Sequence, residues 1–171
     1  LEFRRVLFRS KITVIRNGIN LDQYLITLPD IKSKYNIDSN FVLFVGRFAH
    51  VKGVDILLNA WQKIVNTKYD DTKLVIMGVD FGFESQMMKM IKDLNLRDSV
   101  IVIKNPPRED VLGAYSQSLF LVLPSRWELS PLTPLEGFAF KKTTISTTAH
   151  RSEEHTSELQ SQSTISYAVF C

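Results

Sequence analysis

Short unbroken apolar runs alternate along this chain with longer stretches in which apolar residues return every three or four positions. The unbroken runs are Phe41–Val45, Lys73–Met77, Val100–Ile103 and Leu119–Leu123, and such runs mark strands covered on both faces. Thr143–Ser146 predicts a fifth strand. Between the strands, Val54, Leu57, Leu58, Trp61, Ile64 and Val65 recur at helical spacing, as do Met87, Met88, Ile91 and Leu94. Shorter helices are predicted over residues 31–35, 111–118 and 135–140. Ahead of these, Lys11–Arg16 alternates like a strand and stops at the turn dipeptide Asn17-Gly18, and residues 19–40 read as a connector broken by Pro29. Strands alternating with helices at these lengths imply right-handed βαβ units. The expected fold is therefore α/β, a doubly wound parallel sheet.

The two ends do not join this pattern. Leu1–Ser10, Arg151–Ser161 and Ile165–Cys171 each resemble a translated stretch of a common short-read sequencing adapter. Residues 1–10 and 151–171 are accordingly set aside from fold reasoning, which leaves 11–40 as a hinge entering a domain over 41–150. With 171 residues and 44% hydrophobic content there is room for one domain with a real core. The ends carry four arginines and four glutamates between them, so the net charge of +3 survives their removal. That mild excess suits an anionic small molecule and is too diffuse to indicate nucleic acid. The single cysteine, Cys171, falls in an end, so no disulfide or thiolate chemistry is expected, and the scarcity fits a reducing compartment. No apolar run is long enough to span a bilayer. A sheet cut short exposes an edge and apolar helix faces, so the isolated stretch is expected to be marginally stable.

Chemistry concentrates at Ser125–Gly137, which follows the fourth strand. Pro131 and Pro134 forbid one continuous helix between Glu128 and Glu136. Glu128 then belongs to a strand end and Glu136 to the first turn of the next helix, so both can face a crevice at the sheet's carboxyl edge. A local reading of Glu136 stands beside this one: Thr133 as N-cap, Pro134 at the first helical position, and Glu136 closing a capping box. Glu128 has no such local role, and a carboxylate after an apolar strand and a Trp needs exposure or a partner. After the first strand, Gly46–Gly53 is neither a Walker loop nor a dinucleotide fingerprint. Arg47 offers a planar fork for phosphate oxygens and Lys52 a mobile point charge; taken alone, both read more readily as solvated surface cations, and His50 as an exposed loop histidine.

Three motifs in register carry a resemblance: Val14–Asn20; Phe44-Val45-Gly46-Arg47 with Lys52-Gly53; and Glu128 spaced by seven residues from Glu136-Gly-Phe-Ala. Together they are similar to the family 4 (group 1) glycosyltransferases, retaining enzymes of the GT-B fold, which has two Rossmann-like domains. The resemblance implies that 41–150 is an incomplete, Rossmann-like, nucleotide-sugar-binding domain, one half of a GT-B fold. It implies a catalytic set of Glu128, Arg47 and Lys52, with Arg47 and Lys52 on the donor's diphosphate and Glu128 on hydroxyls of the transferred sugar. Glu136 would accept from the ribose hydroxyls, and the backbone N–H groups of Leu132 and Thr133 would meet the phosphates. Lys104 and Asn105 lie where relatives seat the nucleobase. The nucleotide-diphosphate-sugar is a substrate, so neither cofactor nor metal is implied. The implied acceptor is a sugar, glycan or lipid-linked molecule held by an amino-terminal domain outside this stretch. The parent enzyme is expected in the cytoplasm or at the inner face of the membrane, and this stretch alone is expected to be inactive. Departures from the family pattern are Arg16 and Asn20 in the first motif, Pro131 where a Gly is common, and the lack of a Gly-x-Gly after Gly78. A non-catalytic nucleotide-binding module and a nucleotide-sugar epimerase are the alternatives.

Overall fold

The structure, a computed structural model, describes residues 18–24, 27–65, 67, 71–128 and 131–147, together with the backbone of 165–168. The strand expected over 11–16 and most of the first motif lie outside the described residues. The elements in chain order are α1 (Ile31–Lys34), β1 (Phe41–Val45), α2 (Val54–Val65), β2 (Lys73–Gly78), α3 (Glu84–Asp93) and β3 (Val100–Lys104). They continue with α4 (Arg108–Gln117), β4 (Leu121–Leu123), α5 (Thr133–Ala139), β5 (Thr144–Thr147) and β6 (Ile165–Ala168), and single 3-10 turns cover Leu21–Tyr24 and His50–Lys52.

The sheet runs β3-β2-β1-β4-β5-β6, with the first five strands parallel and β6 antiparallel to β5. Strand order turns back between β1 and β4, because the chain winds outward through β2 and β3 before returning to the other side of β1. In an open α/β sheet the carboxyl ends of the strands at such a reversal form the ligand crevice. β6 falls within the end set aside on sequence grounds, yet its backbone pairs with β5 from Thr144 opposite Ala168 to Thr147 opposite Ile165. The physical reason is the edge of β5 itself, where a row of open N–H and C=O groups accepts any extended segment.

Both faces of the sheet are covered, which is why β1 and β4 are apolar throughout and β2 and β3 are apolar apart from their ends. Val42, Phe44, Leu74 and Ile76 point to one face, where Leu57, Leu58, Trp61, Met87 and Ile91 of α2 and α3 cover them. Phe41, Leu43, Val75 and Met77 point to the other, under Ile31 of α1 and Val111, Leu112 and Tyr115 of α4. Burying each such side chain contributes roughly 1.5–3 kcal/mol. α5 sits low on β4, since a Cβ on Gly137 would come within 2.1 Å of Leu121 Cδ1.

Two local expectations are corrected. α4 begins at Arg108 rather than at Val111, and its first-turn Asp110 is fully buried, bonded by Lys34 Nζ at 2.8 Å and Tyr35 Oη at 2.5 Å. Hydrophobic periodicity hides this start, because an acid in a first turn reads as solvent-facing. The second correction concerns α5. Thr133 is its first residue, Leu132 takes the cap position, and no side chain caps it, so there is no capping box. Glu136 turns away from the helix start toward partners on α4, described below.

Candidate functional site

The loops after β1 and β4 meet at the reversal point. Gly53 has a left-handed backbone (φ 67°, ψ 26°), and a Cβ there would lie 1.9 Å from the carbonyl oxygen of Pro124. Only glycine allows this approach. The Arg126 N–H donates to Val51 O at 2.8 Å and ties the same two loops again. Their contact carries Lys52 to Glu128: Lys52 Nζ donates to Glu128 Oε1 at 2.5 Å, and Ser125 Oγ donates to the same oxygen at 2.6 Å. The two side chains are 16% and 13% exposed, so Lys52 is not a solvated surface cation. Ser125 is itself buried, and its carbonyl accepts from Thr147 Oγ1 at 2.5 Å, which anchors the loop to β5.

Arg126, which the sequence reading left without a role, makes the strongest link between the loops. Its guanidinium forks onto Asp55, with Nη1 to Oδ1 at 2.7 Å and Nη2 to Oδ2 at 2.5 Å, and Nη1 also donates to His50 O at 2.7 Å. The hydrogen bonds from Arg126 hold the Asp55 carboxyl below its ordinary range.

A second cluster forms around Glu136. Its Oε1 accepts from Arg108 Nη2 at 2.5 Å and from Tyr24 Oη at 3.4 Å, and its Oε2 accepts from Tyr115 Oη at 2.8 Å. Burial, and then the Glu136 charge, push the phenols of Tyr115 and Tyr24 up from their ordinary range. Tyr115 and Phe140 stack with centroids 6.1 Å apart, which fixes the floor of this cluster. No pattern in the sequence marks Tyr24, Arg108 or Tyr115, because the three come from separate segments joined only by the fold.

The remaining expected residues also reach the carboxyl edge. Arg47 lies over the Phe81 ring at 5.0 Å, bringing the β1 loop against the loop after β2. That second loop is organised by Asp80, whose Oδ1 accepts from the N–H groups of Gly82, Phe83 and Glu84 at 2.9, 3.0 and 3.0 Å and so satisfies the open start of α3. Lys104, at the end of β3, is paired with Glu84 at 2.8 Å, and Asn105 follows with a left-handed backbone (φ 49°). β2 stands between β3 and β1, so these two residues sit one strand beyond the Arg47 loop. Leu132 is exposed and Thr133 half-buried at the start of α5. His50 is exposed, as expected for a loop histidine. The structure thus joins Lys52 directly to Glu128 and gives Glu136 a separate set of partners on the same edge.

Comparison with known proteins places this arrangement in context. The sequence profile described as "Glycosyl transferases group 1" matches residues 29–159. An uncharacterised glycosyltransferase of Haemophilus influenzae is 37% identical over 140 residues, covering 81% of this chain and 38% of that protein. The chain therefore spans little more than a third of that relative's length. Among solved structures, a glycosyltransferase from Rickettsia africae superposes with a TM-score of 0.70 at 24% identity, over 84% of this chain and 41% of that one. HepE of Anabaena, solved in complex with UDP-glucose, superposes with a TM-score of 0.69 at 18% identity, over 84% and 41%. At those identities the two structures show a shared fold.

Proposed function

The chain belongs to the group 1 glycosyltransferases, and from that premise we propose that it is the donor-binding part of a retaining, nucleotide-sugar-dependent transferase. The observation that carries the reading is the contact of Lys52 with Glu128 at the point where strand order reverses. A nucleotide-sugar has an anionic diphosphate joined to a hydroxyl-rich ring. A cation and a carboxylate held side by side at a crevice match those two parts in adjacent positions.

In this reading Arg47 and Lys52 take the diphosphate, Glu128 the hydroxyls of the transferred sugar, and Glu136 the ribose hydroxyls. Leu132 and Thr133 N–H groups meet the phosphates, and Lys104 and Asn105 border the base. As the glycosidic bond breaks, negative charge grows on the leaving diphosphate and positive charge on the ring. Fixed cations stabilise the first, and loss of one such group raises the barrier by about 2.7–4 kcal/mol. The acceptor is held by a part of the enzyme that this chain does not span. HepE, solved with UDP and with UDP-glucose, supports the donor class.

The test is release of nucleoside diphosphate by the complete protein, supplied with UDP-glucose or GDP-mannose and a cell-extract acceptor. Acceptor-dependent release that falls by a factor of about 10² or more in Lys52→Ala and Glu128→Ala is expected. Equal turnover in both variants and the parent overturns the assignment.

A further inference from the structure

Resting on the reading of Lys52 and Glu128 as the donor grip, we propose that Arg126 and Asp55 are positioning residues that set the place of that pair. Neither needs to touch the donor. Lys52 and Glu128 stand on separate loops, and Ser125 Oγ holds Glu128 from within its own loop. The Arg126–Asp55 fork ties those loops at the third residue beyond Lys52 and the second before Glu128.

That system is built on several independent contacts. Asp55 stands in the first turn of α2, so it is rigidly joined to Gly53 and Lys52 behind it. Arg126 reaches Asp55 through two parallel bonds and His50 O through a third, so it spans the whole 3-10 turn that ends at Lys52. A fork of this kind restricts orientation as well as distance, which a single ammonium contact does not. The side chains are 33% and 19% exposed, so the pair is only partly screened by water. Two backbone contacts also join the loops, Arg126 N to Val51 O and the close approach of Gly53 to Pro124 O. The forked guanidinium contact adds a side-chain tie to these and restricts how the loops can turn against each other.

A displacement of the catalytic groups by about 1 Å can lower turnover by roughly 10²-fold. The loss is expected in kcat, since a loosened Lys52 still meets the ground-state diphosphate but no longer follows the charge that grows on it. The experiment uses the complete protein with UDP-glucose and GDP-mannose as donors. It compares Arg126→Met, Asp55→Asn, their double variant, Arg126→Lys and Asp55→Glu, with kcat normalised to the folded fraction by near-UV circular dichroism. Expected are a fall in kcat of about 10–100-fold in Arg126→Met, a donor KM within about threefold of the parent, and a double variant no worse than Arg126→Met. Arg126→Lys, which keeps the charge but loses the fork, should show the same kcat-selective loss at smaller size. Asp55→Glu should retain most of the parent kcat. Unchanged kcat, a loss confined to KM, or additive losses in the double variant would overturn the positioning role. Lys52→Ala and Glu128→Ala separate the two levels. If they lose turnover and Arg126→Met does not, positioning alone is wrong; if they keep it, the donor grip itself is wrong.

Discussion

Lys52 and Glu128 lie 76 positions apart in the chain and meet at 2.5 Å. Gly53 lets the β1 loop press on the carbonyl of Pro124, which brings the loop that carries Lys52 against the one that carries Glu128. The pair is also a structural unit. Lys52→Met leaves Glu128 largely buried with only Ser125 bonded to it, and is expected to destabilise the protein by about 1–3 kcal/mol. Adding Glu128→Gln to that variant should recover part of the loss. Urea midpoints of the two single variants and the double variant measure the coupling, and strictly additive values would refute it.

Glu136, itself only partly buried, serves the fully buried Tyr115 as an acceptor between α4 and α5. Glu136→Ala should cost about 1–3 kcal/mol, because the Tyr115 hydroxyl loses its carboxylate. The same substitution in a Tyr115→Phe background should cost visibly less. Equal costs in both backgrounds, read from denaturant unfolding, would place the effect elsewhere.

Stability should respond to pH through Asp110 and Tyr35. Burial opposes charge on Asp110, but the bonds from Lys34 and Tyr35 outweigh it and hold the carboxyl below its ordinary range. A depressed carboxyl stabilises the fold above the unfolded value near 4 and loses that contribution as pH falls through the lower folded value. Burial and then the bond to Asp110 push the Tyr35 phenol up to about 12. A raised phenol stabilises below the unfolded value near 10, and the contribution is lost as pH rises through about 12. Urea midpoints against pH should therefore drop below about pH 4 and above about pH 10. Asp110→Asn should flatten the acid limb; an unaltered limb would contradict this origin.

Gly53→Ala should damage both fold and site. The left-handed backbone costs a non-glycine residue about 1–2 kcal/mol, and the new Cβ would also meet Pro124 O at 1.9 Å. The loops must then part, carrying Lys52 from Glu128. A lower unfolding midpoint together with reduced donor turnover is expected, whereas Gly82→Ala, where φ is 86° but no atom lies within 4 Å, should lower stability alone.

The layered sheet was legible because unbroken strands and amphipathic helices follow directly from burial on both faces. α2 runs over Val54–Val65, the span its periodicity predicts, and β1 over Phe41–Val45. The family was legible because its motifs keep their spacing on a fixed topology, and Lys52 and Glu128 meet as members of two of those motifs. Arg126, Asp55, Arg108, Tyr24 and Tyr115 were not. Their roles depend on pairings between distant segments, and nothing near Arg126 distinguishes a forked cation from one in water. Thr133 and Glu136 misled in a different way, since the capping-box pattern is complete locally and a buried tyrosine outcompetes it for the carboxylate. The strand Ile165–Ala168 was discounted by origin, but backbone pairing at an open edge is indifferent to where a segment comes from.

Along the carboxyl edge Lys52 is matched by Glu128, Arg108 by Glu136, Lys104 by Glu84 and Arg126 by Asp55. An anion drawing near this surface therefore feels little pull from afar, because each of these cations is already screened by its own counter-ion. On the proposed reading of the site, capture is a trade of partners at short range, in which the incoming phosphates and hydroxyls take over bonds the side chains had been making to one another. Selectivity in such a trade favours a molecule bearing negative groups and neutral donors together, since a bare anion could satisfy the released cations but would strand the acids.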